Sequence, residues 1–187
     1  MERDIRLDAE AVKVLAHPLR SRLLTQLRRT GPGTATDLAE RLGTNTGATS
    51  YHLRKLESVG LVEDTGEGEG KRRLWRAASR SHSWAPSDFA GDEDAETSIG
   101  WLVRDYVHQA AERMEGWLDA EHAWPADWRD AMGISDDVVL VDPAQAEALQ
   151  QELLDVVVRY RAAGAGRPDA REVSVWLMMM PVDPRRG

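Results

Sequence analysis

Residues 34–55, TATDLAERLGTNTGATSYHLRK, decide the fold of the front of the chain. Apolar residues of this stretch, together with Leu56 directly after it, recur at the spacing of two short helices. They are Leu38, Ala39 and Leu42 in the first helix and Ala48, Leu53 and Leu56 in the second. Gly43 ends the first helix, because glycine adopts the left-handed backbone conformation without steric cost. Polar side chains can cap both helices, namely Thr34 or Thr36 before the first and Thr44 or Asn45 before the second. The stretch therefore predicts a helix-turn-helix.

The outward side of the second helix carries small hydroxyls, an amide, a phenol and two cations. This mixture suits hydrogen bonds to base edges and to phosphates in a major groove of DNA. The second helix is therefore the predicted recognition helix, and its predicted contact residues are Asn45, Thr46, Ser50, Tyr51, Arg54 and Lys55.

The sequence on either side of this stretch completes a winged helix. A helix begins at Asp8, His17-Pro18 interrupts it, and a second helix covers residues 18–30. After the recognition helix, residues 61–65 alternate as a strand, GEGEGK at 66–71 is a flexible turn, and residues 72–77 form the return strand. This hairpin is a predicted wing, and its basic residues are expected along a phosphate backbone; they are Lys71, Arg72 and Arg73.

Three segments resemble, in order and spacing, the winged-helix domain of the ArsR-type transcriptional repressors. They are LAHPLRSRLLTQL at 15–27, TDLAERLGTNTGATSYHLRKLESVGLVE at 36–63 and GEGEGKRRLWR at 66–76. The resemblance implies a structural or phosphate-binding role for His52. It also implies base or backbone contacts from one set of residues on the recognition helix, namely Asn45, Thr46, Gly47, Ser50, Tyr51 and Arg54.

Charge is divided unevenly along the 187 residues, whose net charge is −8. Residues 1–80 carry 15 Lys and Arg against 11 Asp and Glu, whereas residues 81–187 carry 9 against 21. A basic front and an acidic back fit a nucleic-acid module joined to a region that does not touch phosphate. The chain has no cysteine, which excludes disulfides and thiolate metal sites. No segment resembles a signal peptide or a membrane span, so we expect a cytoplasmic protein without membrane association.

Composition divides the chain into three parts. We predict a DNA-binding domain at 1–80, a linker rich in Ser, Pro, Gly and acidic residues at 81–97, and a dimerisation or effector-binding region at 98–187. In the last part the patterns predict a helix over about 98–122, a strand at 138–141, a helix from Asp142-Pro143 to about residue 161, and a strand at 173–180. The predicted fold class is α+β and mainly α, with an N-terminal winged helix-turn-helix and a helical or α+β C-terminal region.

Five of the seven tryptophans lie beyond the predicted linker. They indicate either an aromatic pocket for an apolar or flat effector, or packing in a core and a dimer interface, which is the simpler interpretation. The candidate residues for this effector pocket or interface are Trp101, Tyr106, Trp117, Trp124, Trp128 and Trp176.

A metal site has less support in the sequence. Asp105 and His108 have the i, i+3 spacing of a helical zinc site, and Glu121 and His122 lie near the other end of the same helix. Pro125, however, occupies the position that would complete the second pair. A solvated acidic helix face explains the same residues, and we predict no metal and no cofactor.

Catalysis has no recognisable motif here. GEGEGK lies in a hairpin without the order of a phosphate-binding loop, and no nucleophile stands in an elbow motif. His17 and His52 are expected to form hydrogen bonds within the fold or to phosphate. We therefore predict that the chain is not an enzyme.

These observations favour a homodimeric winged-helix repressor that binds double-stranded DNA at an imperfect palindrome. Its C-terminal region would supply the dimer contact, and a small-molecule effector would act by changing the distance between the two recognition helices. The alternative is a winged-helix protein-interaction module that docks through its Trp-rich region and has no specific operator. A cysteine-free metal sensor is a weaker third interpretation.

Overall fold

The computed structural model describes residues 5–68, 70 and 72–182. The chain divides into two compact units, Met1–Glu115 and Gly116–Gly187. The elements of the first unit are β1 (Ile5–Arg6), α1 (Ala9–Leu15), α2 (Pro18–Thr30), β2 (Gly33–Thr34), α3 (Ala35–Arg41), α4 (Thr46–Glu57), β3 (Val62–Asp64), β4 (Leu74–Ala77), β5 (His82–Ser83), a 3₁₀ turn at Pro86–Phe89, and most of α5 (Glu93–Ala120). The residues of α5 from Gly116 onward belong to the second unit. The second unit continues with a 3₁₀ turn at Glu121–Ala123, α6 (Ala126–Asp130) and α7 (Pro143–Tyr160).

Side-chain caps set the limits of the two helices in the helix-turn-helix. Thr34 and Asp37 form a capping box at the start of α3, in which each side chain accepts the backbone N–H of the other residue. Gly43 follows the end of α3 with a φ of +62°, a conformation that favours glycine. Asn45 caps α4, since its side-chain oxygen accepts the N–H of Ala48 at 2.8 Å. The predicted helix-turn-helix is therefore confirmed, including the glycine between its helices.

The core of the first unit is built mainly from leucines on the inward faces of α1 to α4. Those with exposures of 2% or less on these four helices are Leu15, Leu23, Leu24, Leu27, Leu38, Leu53 and Leu56. Each buried leucine contributes roughly 1.5–3 kcal/mol relative to an exposed one. Because Leu53 and Leu56 fix the inner side of α4 to this core, the other side of the helix faces outward.

The wing is a three-stranded antiparallel sheet in the order β2-β4-β3. The predicted hairpin is confirmed, with Val62 opposite Ala77 and Asp64 opposite Trp75. The third strand was not predicted, since β2 contains only Gly33 and Thr34 and too short a segment shows no alternation. Its pairing with β4 joins the start of α3 to the wing.

Residues 81–97 are packed against the first unit, and here the structure differs from the predicted linker. β5 pairs in parallel with β1, and Phe89 is 2% exposed in the hydrophobic core. Asp92 accepts the N–H of Ala95 at the start of α5 and lies 2.7 Å from the Lys13 ammonium. The compact first unit consequently extends to Glu115 and does not end at residue 80.

In its described part, residues 116–182, the second unit contains helices joined by long irregular segments and no strand. The predicted α7 is confirmed, with Asp142 and Gln145 in a capping box. The two predicted strands are wrong, because residues 138–141 and 173–180 have no secondary structure. A strand requires a neighbour for its backbone N–H and C=O groups, and no described segment pairs with either one. No helix of the described residues combines the length and apolar character needed to cross a membrane.

Candidate nucleic-acid interface

The predicted contact residues of α4 lie together on its outward side. Those classed as exposed are Asn45, Thr46, Gly47, Tyr51, Arg54 and Lys55, and Ser50 is half-buried. Tyr51 keeps 53% of its surface accessible, and the Lys55 ammonium lies 6.0 Å from the centre of its ring. Thr49 and the two leucines of α4 occupy the buried side. The helix therefore presents hydrogen-bonding groups and cations on a single surface, as groove recognition requires.

A cavity of about 370 Å³ lies where α3, α4 and the wing meet. It is lined by Thr34, Ala35, Thr36, Thr46, Ser50, Arg54, Arg72, Arg73 and Trp75. Hydroxyl and guanidinium groups bind phosphate oxygens, so the chemistry of the cavity suits a contact with the phosphate backbone of DNA. The sequence predicted the three arginines, Thr46 and Ser50. It did not predict Thr34, Thr36 and Trp75, because the register of β2 against β4 brings them there.

The three arginines of this cavity differ in their surroundings. Arg73 lies 3.4 Å from both Glu57 and Asp64, and its guanidinium stacks 5.6 Å from the centre of the Trp75 ring. Arg54 and Arg72 form no ion pair within the part of the chain that the structure describes. Arg73 is therefore engaged by two carboxylates within the fold, whereas Arg54 and Arg72 are available to an external anion. Lys71, the other predicted wing cation, lies outside the described residues.

His52 lies apart from the outward residues of α4. Its ring contacts the ring of His17 at 4.4 Å between centroids, and its buried Nδ1 has no hydrogen-bond partner among the described residues. His17 caps α2, because its Nδ1 accepts the N–H of Leu19 at 3.1 Å. Burial lowers the pKa of His52, and the neighbouring His17 and Arg20 lower it further. This arrangement supports a structural role for His52, one of the two roles that the family resemblance implies.

Acidification is expected to destabilise the first unit through His17. Burial and then Arg20 lower the pKa of His17, so its stabilising effect is complete above the ordinary histidine pKa of about 6.5 and is lost as the pH falls through the lower folded value. A protonated Nδ1 also cannot accept the N–H of Leu19. His17→Asn keeps a capping acceptor without titrating. Urea unfolding at about pH 7 and about pH 5 should show a smaller loss of stability for His17→Asn than for the unsubstituted chain. An equal loss in both proteins would contradict this prediction.

The aromatic residues predicted to form an effector pocket or a dimer interface are divided between the two units. Trp101 and Tyr106 pack against the core of the first unit. The Tyr106 hydroxyl lies 2.8 Å from Nε2 of His82, and burial raises the pKa of Tyr106. Within the second unit Trp124 contacts both Trp117 and Trp128, and the indole N–H of Trp176 donates to Ser174. Their predicted role as an effector pocket or a dimer interface stays a prediction.

Asp105, one of the residues considered for a metal site, accepts hydrogen bonds within the fold. The carboxylate of Asp105 accepts hydrogen bonds from the Ser21 hydroxyl and, at 2.7 Å, from the Gln109 amide. Across residues 5–68, 70 and 72–182, no three His, Asp or Glu side chains come together as a metal site would require. The structure thus gives Asp105 a partner set inside the fold, between α2 and α5.

Comparison with known proteins finds matches to the helix-turn-helix region of the chain. Residues 15–65 match a family model described as a helix-turn-helix domain. A segment of 54 residues, 29% of this chain, is 48% identical to the HTH-type transcriptional regulator NmtR of Mycobacterium tuberculosis and covers 44% of it. The chain thus spans less than half the length of this relative.

Two solved structures are similar over longer parts of the chain. One is the solution structure of a homodimeric winged helix-turn-helix DNA-binding domain from Mycobacterium bovis, described as a possible ArsR-family transcriptional regulator. It is 28% identical, with 56% of this chain and 82% of that chain covered and a TM-score of 0.35. The other is RV1404 from Mycobacterium tuberculosis, 14% identical over 80% of this chain and 81% of that chain, with a TM-score of 0.30. Its capped helices and wing, together with the matching family model, show that the N-terminal domain of this chain is a winged helix-turn-helix, and its motifs resemble those of the ArsR type.

Proposed function

We propose that this chain is a sequence-specific DNA-binding transcriptional regulator, which acts as a homodimeric repressor at an imperfect palindrome. The observation that carries the proposal is the outward side of α4 beside the Arg-lined cavity of the wing. The name of the partly matching relative, an HTH-type transcriptional regulator, supports the same class of function.

In this proposal α4 enters the major groove while the wing follows the phosphate backbone. Arg54 lies on the outward side of α4, and we assign it to a base edge. Bidentate contact of arginine with guanine is the commonest specific pairing in the major groove. Arg72 lies two residues before β4, and we assign it to a phosphate, a contact that fixes orientation and carries no sequence information. Two such domains related by a twofold axis would bind half-sites about one helical turn apart.

The dimer contact is assigned to the back of the chain, where apolar side chains lack a cover. α7 has no buried residue, and Leu154 and Val156 on it keep 43% and 40% of their surface. Leu140 is fully exposed, and Leu177 is 41% exposed. Large apolar side chains left exposed in this number are typical of a protein interface and support the assignment. A second copy of the chain offers the same surface, so a twofold arrangement covers both at once.

A charge in this surface is expected to separate the dimer. Leu140→Asp combined with Leu177→Asp places carboxylates in the proposed contact, where an unpaired buried charge is strongly unfavourable. Sedimentation velocity should show a dimer for the unsubstituted chain and a monomer for the double variant. Tyr51→Asp is the control, since it adds one carboxylate at an exposed aromatic of α4, outside the proposed contact, and should leave the dimer intact. A dimer that survives the double variant would place the contact elsewhere.

Repression requires that DNA affinity can change, and an effector is the simplest means. An effector that binds the back of the dimer would bias the distance between the two recognition helices. The support for this step is the second unit itself, which contact with DNA does not require.

Selection of genomic fragments by the purified chain tests the proposed function. The selection is carried out at about 50 mM and about 200 mM salt, because binding that depends on six to ten phosphate contacts weakens by roughly 10³–10⁵ over this range. The expected result is one enriched palindrome whose half-sites are about one helical turn apart. Weak, salt-sensitive binding to every fragment would contradict a sequence-specific regulator. That outcome would favour the protein-interaction module, for which the uncovered apolar surface of the second unit is the specific observation.

A further inference from the structure

Three tryptophans of the second unit form a continuous row of rings. The rings of Trp117 and Trp124 lie 5.6 Å apart with 50° between their planes, and those of Trp124 and Trp128 lie 6.0 Å apart with 59°. Trp117 stands near the end of α5 and Trp128 stands in α6. Turns fix the intervening backbone, since Trp124 N–H donates to Glu121 C=O at 3.0 Å and Trp128 N–H to Pro125 C=O at 3.1 Å. We call these three residues the Trp row.

The Trp row is incompletely covered by the protein. Each of its three side chains is half-buried, and neither α6 nor the preceding 3₁₀ turn contains a buried residue. None of the three indole N–H groups donates to an acceptor in the described part of the chain. Tryptophans that serve only as core are usually covered and find a partner for the N–H. The tilted rings of this row instead offer π surfaces to solvent.

The charge around the Trp row is negative. Four carboxylates and one arginine fall between Gly116 and Asp130. Asp119, Asp127 and Asp130 are exposed, and Glu121 is half-buried. None of these four carboxylates forms an ion pair with a residue that the structure describes. Negative potential and partly accessible indole rings attract the same kind of ligand, a cation, and both disfavour an anion.

We propose that the Trp row binds a delocalised organic cation, such as a quaternary ammonium or an aromatic phosphonium compound. A cation of this class is weakly hydrated, so it loses little when it leaves water for an aromatic surface. It gains contact with the indole faces, each of which attracts positive charge, and long-range attraction to the surrounding carboxylates. A small inorganic cation would lose its hydration without filling the row. Binding at this site does not depend on DNA; its role as the effector site rests on the proposed function.

Calorimetric titration without DNA tests the binding itself. Tetraphenylphosphonium is the probe, and tetraphenylborate is its control of the same shape and opposite charge. The expected result is one tetraphenylphosphonium per chain, with tetraphenylborate at least about tenfold weaker. Equal binding of the two ions, or no binding of tetraphenylphosphonium, would overturn the proposal. Because no DNA is present, the result is independent of whether the chain selects an operator.

Two variants locate the site. Trp124→Leu removes the central ring and should weaken tetraphenylphosphonium binding about five- to tenfold, the effect of one cation–π contact of about 1 kcal/mol or slightly more. Trp176→Leu makes the same chemical change in the second unit outside the row, and its affinity should be unchanged. Trp128→Leu, with helicity compared by circular dichroism, replaces Trp124→Leu if that variant does not fold. Unchanged affinity in the row variant, or an equal loss in Trp176→Leu, would place the binding elsewhere and overturn the assignment.

Discussion

Phe89→Ala is expected to lower the free energy of unfolding of the first unit by about 3–5 kcal/mol. Phe89 is 2% exposed and belongs to the same core cluster as the leucines of the helix-turn-helix. Its truncation removes a buried ring and leaves a cavity that the surrounding side chains fill only in part. Since domains of this kind are stable by only about 5–15 kcal/mol, the loss is a large fraction of the total. Urea unfolding followed by circular dichroism measures it.

The comparison for Phe89→Ala is Ser87→Ala, in the same 3₁₀ turn. Ser87 is exposed and its substitution should change stability by no more than about 0.5 kcal/mol. A loss below about 1 kcal/mol for Phe89→Ala would show that residues 81–97 are the linker that their composition predicts. The pair of variants therefore decides where the folded N-terminal unit ends.

The parts of this fold that could be predicted are those set by neighbouring residues. Thr34, Gly43 and Asn45 act on backbone groups within three residues, so a short stretch of sequence contains all the information. The outward side of α4 likewise follows from helical periodicity alone. By contrast, β2 consists of two residues and exists only because β4 pairs with it.

Long-range packing decided the remaining features. Residues 81–97 are polar in composition, but they contain the only phenylalanine of the chain, and Phe89 enters the core. Nothing local distinguishes that aromatic residue from one in a linker. Residues 138–141 and 173–180 show the opposite case, because their apolar composition predicts strands and no described segment pairs with them. The cavity beside α4 also needed tertiary information, since the register of Thr34 against Leu74 brings its threonines to the arginines.

Arg54→Ala and Arg72→Ala are expected to weaken operator binding by different mechanisms. Arg54→Ala should cost about 1–3 kcal/mol for the selected palindrome and little for unrelated DNA, because a base contact carries specificity. Arg72→Ala should weaken binding to all sequences similarly and lower the slope of log affinity against log salt by about one. Titration of labelled operator and of scrambled DNA at several salt concentrations separates the two effects.

The matched control is Arg76→Ala, in the same strand of the wing as Trp75. Arg76 alternates to the opposite face of β4, away from the cavity, and pairs with Glu63 at 2.7 Å. Its removal takes away one positive charge from the wing without touching the cavity. Affinity for the operator should therefore be almost unchanged. A decrease equal to that of Arg72→Ala would mean that only the net charge of the wing matters and that the cavity has no special role.

The ion pairs of Arg73 predict a further difference among the arginines of the wing. Its charge is already shared with Glu57 and Asp64, so it contributes less to an external phosphate than the unpaired Arg72. Glu57→Gln should release part of that charge and strengthen non-specific binding, while leaving the base contact of Arg54 intact. If Arg54→Ala, Arg72→Ala and Glu57→Gln all leave DNA affinity unchanged in a folded dimer, the outward side of α4 does not bind DNA. The winged helix would then belong to a protein-interaction module, and its partner would be sought at the Trp-rich second unit.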